Sequence, residues 1–174
     1  MRILITGAGG LLGLNLALEL AREHTVIASD RKEIDGRDLF TSYQMDLLES
    51  NAVEILLDKT EPDVVIHCAA LADVDACEED PALAARLNAD LPGAFARAAA
   101  SRGVRLVHIS TDSVFDGQEG GYTEEDAPNP LSVYALTKLD GERKVFAAMP
   151  GAVVTRVNLF GWSASGNRSL AEYF

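Results

Sequence analysis

Tyr134 and Lys138 lie four residues apart in Ser132-Val-Tyr134-Ala-Leu-Thr-Lys138, so a helix opening there puts a phenol and an ammonium on one face. Upstream, Val104-Arg-Leu-Val-His-Ile-Ser-Thr-Asp112 reads as a strand that delivers Ser110, Thr111 and Asp112 to its carboxyl end. These are parts for reducing a ketone with a nicotinamide hydride. Thr111 would hold the substrate oxygen, Tyr134 would supply the proton, and Lys138 would lower the tyrosine pKa. A free tyrosine titrates near pH ~10, and each unit of downward shift needs about 1.4 kcal/mol, which an ammonium in a partly desolvated cleft can supply. Tyr-x-x-x-Lys alone says little, because solvated helix faces produce it by chance.

What gives the pair weight is the start of the chain, Met1-Arg-Ile-Leu-Ile-Thr-Gly-Ala-Gly-Gly-Leu-Leu-Gly13. Ile3, Leu4 and Ile5 suit a parallel strand buried on both faces, and Leu12, Leu16 and Leu20 begin a helical pattern immediately afterwards. Gly7, Gly10 and Gly13 between them serve a tight turn, close approach of backbone to a pyrophosphate, and close packing of helix on sheet. The helix N-terminus at Leu11 and Leu12 then faces the anion. Val26-Ile27-Ala28 forms a second strand ending at Ser29 and Asp30, where an acidic residue meets an adenosine ribose. Asp30 favours NAD, whereas Arg31 and Lys32 could take the extra phosphate of NADP, and the choice stays open.

The remaining elements must bring these residues to one edge. Tyr43-Gln-Met-Asp-Leu47 reads as a short third strand, with residues 47–58 helical after it, so Asp46 either caps that helix or contacts adenine beside Leu47. Val64-Val-Ile-His-Cys-Ala-Ala70 is a fourth strand whose small residues Cys68, Ala69 and Ala70 admit a cofactor at the same rim. His67 reads as a satisfied buried histidine. Residues 81–102 form an alanine-rich helix bent at Pro92 and Gly93, with Asn88 on its core side holding something polar in place. Residues 116–130, rich in Gly, Pro and acidic side chains, are long enough for a binding loop.

With 174 residues, 48% of them hydrophobic, the chain is sized for one layered domain. A formal net charge of -12 without a basic block argues against nucleic-acid partners. No apolar run has the length of a membrane span and no signal-peptide pattern opens the chain, which points to the cytoplasm. Cys68 and Cys77 have no second pair and no matching histidines, which fits reduced thiols, with no metal.

Thr-Gly-Ala-Gly-Gly-Leu-Leu-Gly (6–13), His-Cys-Ala-Ala (67–70), Val-Asp-Ala-Cys-Glu (74–78), Ser-Thr-Asp-Ser-Val-Phe-Asp-Gly (110–117) and Pro-Leu-Ser-Val-Tyr-Ala-Leu-Thr-Lys (130–138) together resemble the extended short-chain dehydrogenase/reductase family. Within it they resemble the branch of dTDP-4-dehydrorhamnose reductases and related sugar-nucleotide-binding proteins, over nearly the whole chain. The resemblance implies a Rossmann-like doubly wound parallel sheet of about six strands, order 3-2-1-4-5-6, with helices on both faces. It implies Thr111, Tyr134 and Lys138 as the catalytic set, Lys138 also binding the nicotinamide ribose, and Asn88 supporting the proton relay. It further implies NAD or NADP as cofactor, a nucleotide-linked keto-sugar as substrate touching Thr111 and Asp112, and a homodimer through the alanine-rich and Tyr134 helices.

The chain departs from parts of this pattern. Dehydratases of the superfamily carry an acidic pair after the threonine, whereas Asp112 is followed here by Ser113. Rhamnose-pathway reductases place an aromatic where Ser113 stands, and their aromatic after the sixth strand is replaced or displaced in Arg-Val-Asn-Leu-Phe-Gly-Trp (156–162). Members also continue for roughly another hundred residues, a substrate lobe beyond one ordinary domain. Residues 1–162 are therefore expected to form an NAD(P)-binding domain and 163–174 to begin a truncated substrate-binding region. A non-catalytic dinucleotide-binding regulatory subunit and a sugar-nucleotide epimerase are the rival readings.

Overall fold

In a computed structural model, which describes residues 1–36 and 38–160, six strands form one parallel sheet in the order β3-β2-β1-β4-β5-β6. The strands are β1 (Arg2–Thr6), β2 (Thr25–Asp30), β3 (Thr41–Gln44), β4 (Val64–His67), β5 (Arg105–Thr111) and β6 (Val153–Val157). This is the expected order. The expected boundary at 162 and the segment 163–174 lie outside the described residues.

The apolar runs of β1, β2, β4 and β5 are buried because helices cover both faces of the sheet. On one face Leu4, Ile27, Val65 and Leu106 pack with Leu56 and Leu57 of α2 (Ala52–Thr60) and Phe95 and Ala99 of α5 (Leu91–Arg102). On the other, Ile3, Ile5, Val26 and Ala28 meet Ala17 of α1 (Leu11–Leu20). The strand order reverses between β1 and β4, and the crevice there is where open parallel sheets receive ligands.

Two expectations are corrected. The second helix begins at Ala52, not residue 47, because Asp46 Oδ1 accepts from Leu48 N at 2.9 Å and closes its own turn instead of capping the helix. Asn51, left-handed at φ 59°, is the residue before the helix. The alanine-rich segment is also not a single helix bent at Pro92. It runs as α4 (Pro81–Ala85), a π-helical turn (Arg86–Asp90) and then α5. Pro92 explains the turn: it lacks an N–H, and its ring would strike the carbonyl four residues back, that of Asn88.

The released Asn88 carbonyl faces α6 (Val133–Ala148) at Gly141, where a Cβ would come within 2.2 Å of Asn88 O. Only glycine lets the helices close at that point. Ser132 starts α6 by accepting from Ala135 N at 3.2 Å, a cap of about 1 kcal/mol. Asp73 does the same for α3 (Val74–Glu79), accepting from Ala76 N at 3.0 Å.

Candidate dinucleotide cradle and catalytic edge

The glycines differ in what they do. Gly7 is left-handed at φ +65°, and a Cβ there would stand 2.6 Å from Ala69 N, so the turn off β1 lies against the chain leaving β4 at the reversal of strand order. A Cβ on Gly13 would stand 2.4 Å from Gly7 O, which brings α1 directly onto the turn. Gly10 meets only Gly7 O, at 3.2 Å, and is exposed. It precedes α1 without any side-chain cap, and no acidic residue occupies the first turn. Leu11 and Leu12 are half-buried at that helix start.

Asp30 closes the cradle from β2: its carboxylate accepts from Gly9 N at 3.0 Å and from Lys32 N at 3.1 Å. Arg31 and Lys32 are exposed beside it. Cys68, Ala69 and Ala70 are half-buried on the adjoining rim. Asp46 is exposed nearby in sequence, whereas Leu47 turns its side chain into the core, so only its main chain is free to meet a ligand.

At the other end of the rim, β5 and α6 bring Thr111, Tyr134 and Lys138 together. Thr111 is 5% exposed; its hydroxyl donates to Asp112 Oδ1 at 3.3 Å and accepts from Ser113 N at 3.2 Å, and it lies close enough to the Tyr134 phenol to pull that group's pKa down. Lys138 is 3% exposed, and its Nζ donates to Ile109 O at 2.6 Å. Burial pushes its pKa down to about 8, against the pull of Glu142. The expectation that Lys138 lowers the tyrosine pKa is not met. Tyr134 is held above its ordinary value, because burial outweighs the lowering by Thr111, and the charge of Asp112 adds to the rise.

Asn88 is buried and holds polar groups of two segments. Its Oδ1 accepts from Leu71 N at 2.8 Å, and its Nδ2 donates to Leu71 O at 3.0 Å and Thr137 Oγ1 at 3.2 Å. The amide thus ties the chain after β4 to the helix carrying Tyr134. His67 is buried and neutral, its pKa pushed to about 3 by burial and then Lys138, with Nδ1 2.7 Å from Thr6 Oγ1. Cys68 is pushed up to about 12 by burial, and the Cys77 thiol donates to Leu71 O at 3.4 Å; neither is a nucleophile at neutral pH.

The segment after β5 is organised around Asp116, which accepts from Tyr122 Oη at 2.6 Å, Asn129 Nδ2 at 2.8 Å and Gln118 N at 3.0 Å. These bonds hold its pKa down to about 2. Phe115 stacks on Tyr122 with centroids 4.5 Å apart, and both line an open cleft of about 630 Å³ with Asp112, Ser113, Ser132 and Arg156. Sequence reasoning placed Ser110 at this edge without a partner and missed Glu142 and Arg156. The signal was there for Glu142, which continues the four-residue spacing of Tyr134 and Lys138.

The family model of the RmlD substrate binding domain matches residues 1–169. The chain belongs to that family. Methionine adenosyltransferase 2 subunit beta of Mus musculus is 44% identical over 158 residues, 90% of this chain and 46% of that protein. The dTDP-4-dehydrorhamnose reductase of Mycobacterium tuberculosis is 44% identical over 162 residues, 89% of this chain and 49% of that protein. The chain thus spans about half the length of these curated relatives. Among solved structures, a dTDP-4-dehydrorhamnose reductase from Clostridium acetobutylicum is 40% identical with a TM-score of 0.80, covering 92% of this chain and 54% of that one. One from Bacillus anthracis, in complex with NADP, is 32% identical with a TM-score of 0.77, over 89% of this chain and 52% of that one. MoeE5 in complex with UDP-glucose and NAD is 31% identical with a TM-score of 0.76, over 90% and 52%.

Proposed function

We propose that this chain is the dinucleotide-binding half of an NAD(P)-dependent reductase of a nucleotide-activated keto-sugar, of the dTDP-4-dehydrorhamnose reductase type. The observation that carries the reading is the gathering of Thr111, Tyr134 and Lys138 where α6 is pinned to β5 by Lys138 Nζ and Ile109 O, at the same sheet edge as the open glycine turn. The residues present fit a dinucleotide. Gly10 leaves space for a diphosphate at an uncapped helix start, and the Asp30 carboxylate beside it keeps acceptor capacity for ribose hydroxyls. Gly7, Gly10, Leu11, Leu12 and Gly13 would hold the diphosphate, Asp30 and Arg31 the adenosine ribose, Asp46 and Leu47 the adenine, and Cys68, Ala69 and Ala70 the middle of the molecule. Lys138 would hold the nicotinamide ribose.

A bound nicotinamide supplies the hydride. Thr111 positions the substrate carbonyl, and Tyr134 gives its proton to the oxygen as charge develops there. The phenol is protonated at neutral pH and so has a proton to give, while its raised pKa makes it a weaker acid than a free tyrosine. Lys138, at about 8, stays largely charged at neutral pH. Relatives that bind NADP and a dTDP-sugar reductase at 44% identity support cofactor and substrate class. A second reading, a non-catalytic regulatory subunit, is favoured by the equal likeness to methionine adenosyltransferase 2 subunit beta.

Turnover separates the two readings. The gene product that includes the region matching the rest of its relatives should oxidise NADPH or NADH on addition of a nucleotide-linked 4-keto-sugar. Saturable dinucleotide binding without oxidation, across dTDP- and UDP-linked keto-sugars, would leave the regulatory reading in place.

A further inference from the structure

Three consecutive residues of β5 each meet one residue of α6. Thr111 lies beside Tyr134, Ile109 O accepts from Lys138 Nζ at 2.6 Å, and Ser110 Oγ donates to Glu142 Oε1 at 2.5 Å. Tyr134, Lys138 and Glu142 follow one another at steps of four and so form one stripe of the helix. The proposed reaction uses the first two and leaves the third without a task. Glu142 is 3% exposed, and it also accepts from Arg156 Nη2 at 2.8 Å and Arg156 Nε at 3.1 and 3.2 Å. Arg156 is the β6 register partner of Ser110, so both side chains reach Glu142 from one side of the sheet, and the guanidinium lies over Phe115 at 5.1 Å. A buried carboxylate costs stability unless it is fully partnered, and this one has a guanidinium fork and a hydroxyl.

We propose that Glu142 is a positioning residue for this site: through Ser110 and Arg156 it fixes the α6 stripe against β5 and β6, and, one helical turn from Lys138, it is the anionic neighbour of an ammonium that Ile109 O holds directly. The proposal rests on the reading of Lys138 as a ribose-binding group. Lys138 faces Glu142 on its own helix, Cys68 after β4, His67 on β4, and His108 and Ile109 O on β5. Both histidines are neutral and the thiol is protonated, so among these groups Glu142 alone carries opposite charge at neutral pH. Glu142 itself faces Ser110, Arg156 and Lys138.

The test follows the Lys138 side chain of the 174-residue chain by NMR with 13C-labelled lysine, its signal assigned by loss in Lys138→Met. The titration midpoint should lie near 8 and move down by about one pH unit in Glu142→Gln. NADPH affinity should then be about threefold weaker at pH ~7.5 and unchanged near pH ~6, as the charged fraction dictates. A folded Glu142→Gln chain with an unmoved midpoint overturns the proposal, even if it melts earlier. Should that variant fail to fold, the Glu142→Met/Arg156→Met pair replaces a buried ion pair by apolar volume, a change often tolerated. This pair removes a cation along with the anion, so a smaller downward shift than in Glu142→Gln is expected, and a midpoint that does not fall again overturns the proposal. A moved midpoint in a chain that binds no NADPH would sustain the positioning role while sinking the dinucleotide reading.

Discussion

The glycine cradle and the β5–α6 edge meet the same crevice with opposite materials. The cradle is made of backbone: Gly7, Gly10 and Gly13 act through the absence of a side chain, and their neighbours are main-chain atoms of Ala69, Ala8 and Gly7 itself. The edge is made of buried polar side chains, Lys138, Glu142, Ser110, Thr111 and Asn88, each held by a named partner. Backbone surfaces tolerate no added atom. Side-chain networks tolerate changes of shape but respond to changes of charge.

The largest effect should come from packing in the cradle. Gly13→Ala puts a methyl group 2.4 Å from Gly7 O and 2.8 Å from Ala8 Cα and should cost about 3 kcal/mol or more in urea denaturation. Gly10→Ala should leave the midpoint nearly unchanged while weakening NADPH binding about tenfold, because its Cβ meets the fold only at 3.2 Å. Equal stability losses at the two glycines would remove the distinction drawn between them.

On the edge, Tyr134→Phe, in a protein that joins this chain to the region its relatives carry beyond it, should lower keto-sugar reduction by about 100-fold or more with NADPH affinity within about twofold. Steady-state and binding measurements check both halves, and retained turnover would strip Tyr134 of its role. The chain should also lose stability in acid. His67 binds its proton with a pKa near 6.5 when unfolded and about 3 when folded, and His108 is depressed by the same burial and by Lys138. The unfolded chain therefore takes up protons first as pH falls through 6.5, costing about 1.4 kcal/mol per pH unit for each histidine. His108→Leu should flatten that limb in denaturation midpoints measured from pH ~7 to pH ~4; an unchanged slope would contradict it. The smallest change is expected at Asp30→Ala, which should shift the ratio of NADH to NADPH affinity about tenfold toward NADPH.

Much of the cradle was legible because its information is local. A glycine at position 7, 10 or 13 names its own constraint, and alternating apolar runs and helices imply a parallel α/β sheet, whose strand order came with the family resemblance. The β5–α6 edge was legible only in the residues with intrinsic chemistry, Thr111, Tyr134 and Lys138. Glu142 escaped because its meaning comes from Arg156 and Ser110, on strands that pair only in the fold. The π-helical turn escaped for a similar reason: Pro92 announces a disturbance, but where it is relieved depends on Gly141 of a distant helix. Residues 47–51 misled because Leu47 has the spacing of a helix residue while Asp46 satisfies Leu48 in a turn of its own. The Tyr134 pKa also went the other way, since a position four residues from a lysine says nothing of which carbonyl that lysine reaches.

The claim that one dinucleotide spans both regions is tested most directly by 15N NMR of this chain titrated with NADPH. Saturable shifts should appear together at the amides of Gly9 to Gly13 and at Ser110, Thr111 and Tyr134. Shifts confined to the glycine turn, or no saturation at millimolar dinucleotide, would contradict it.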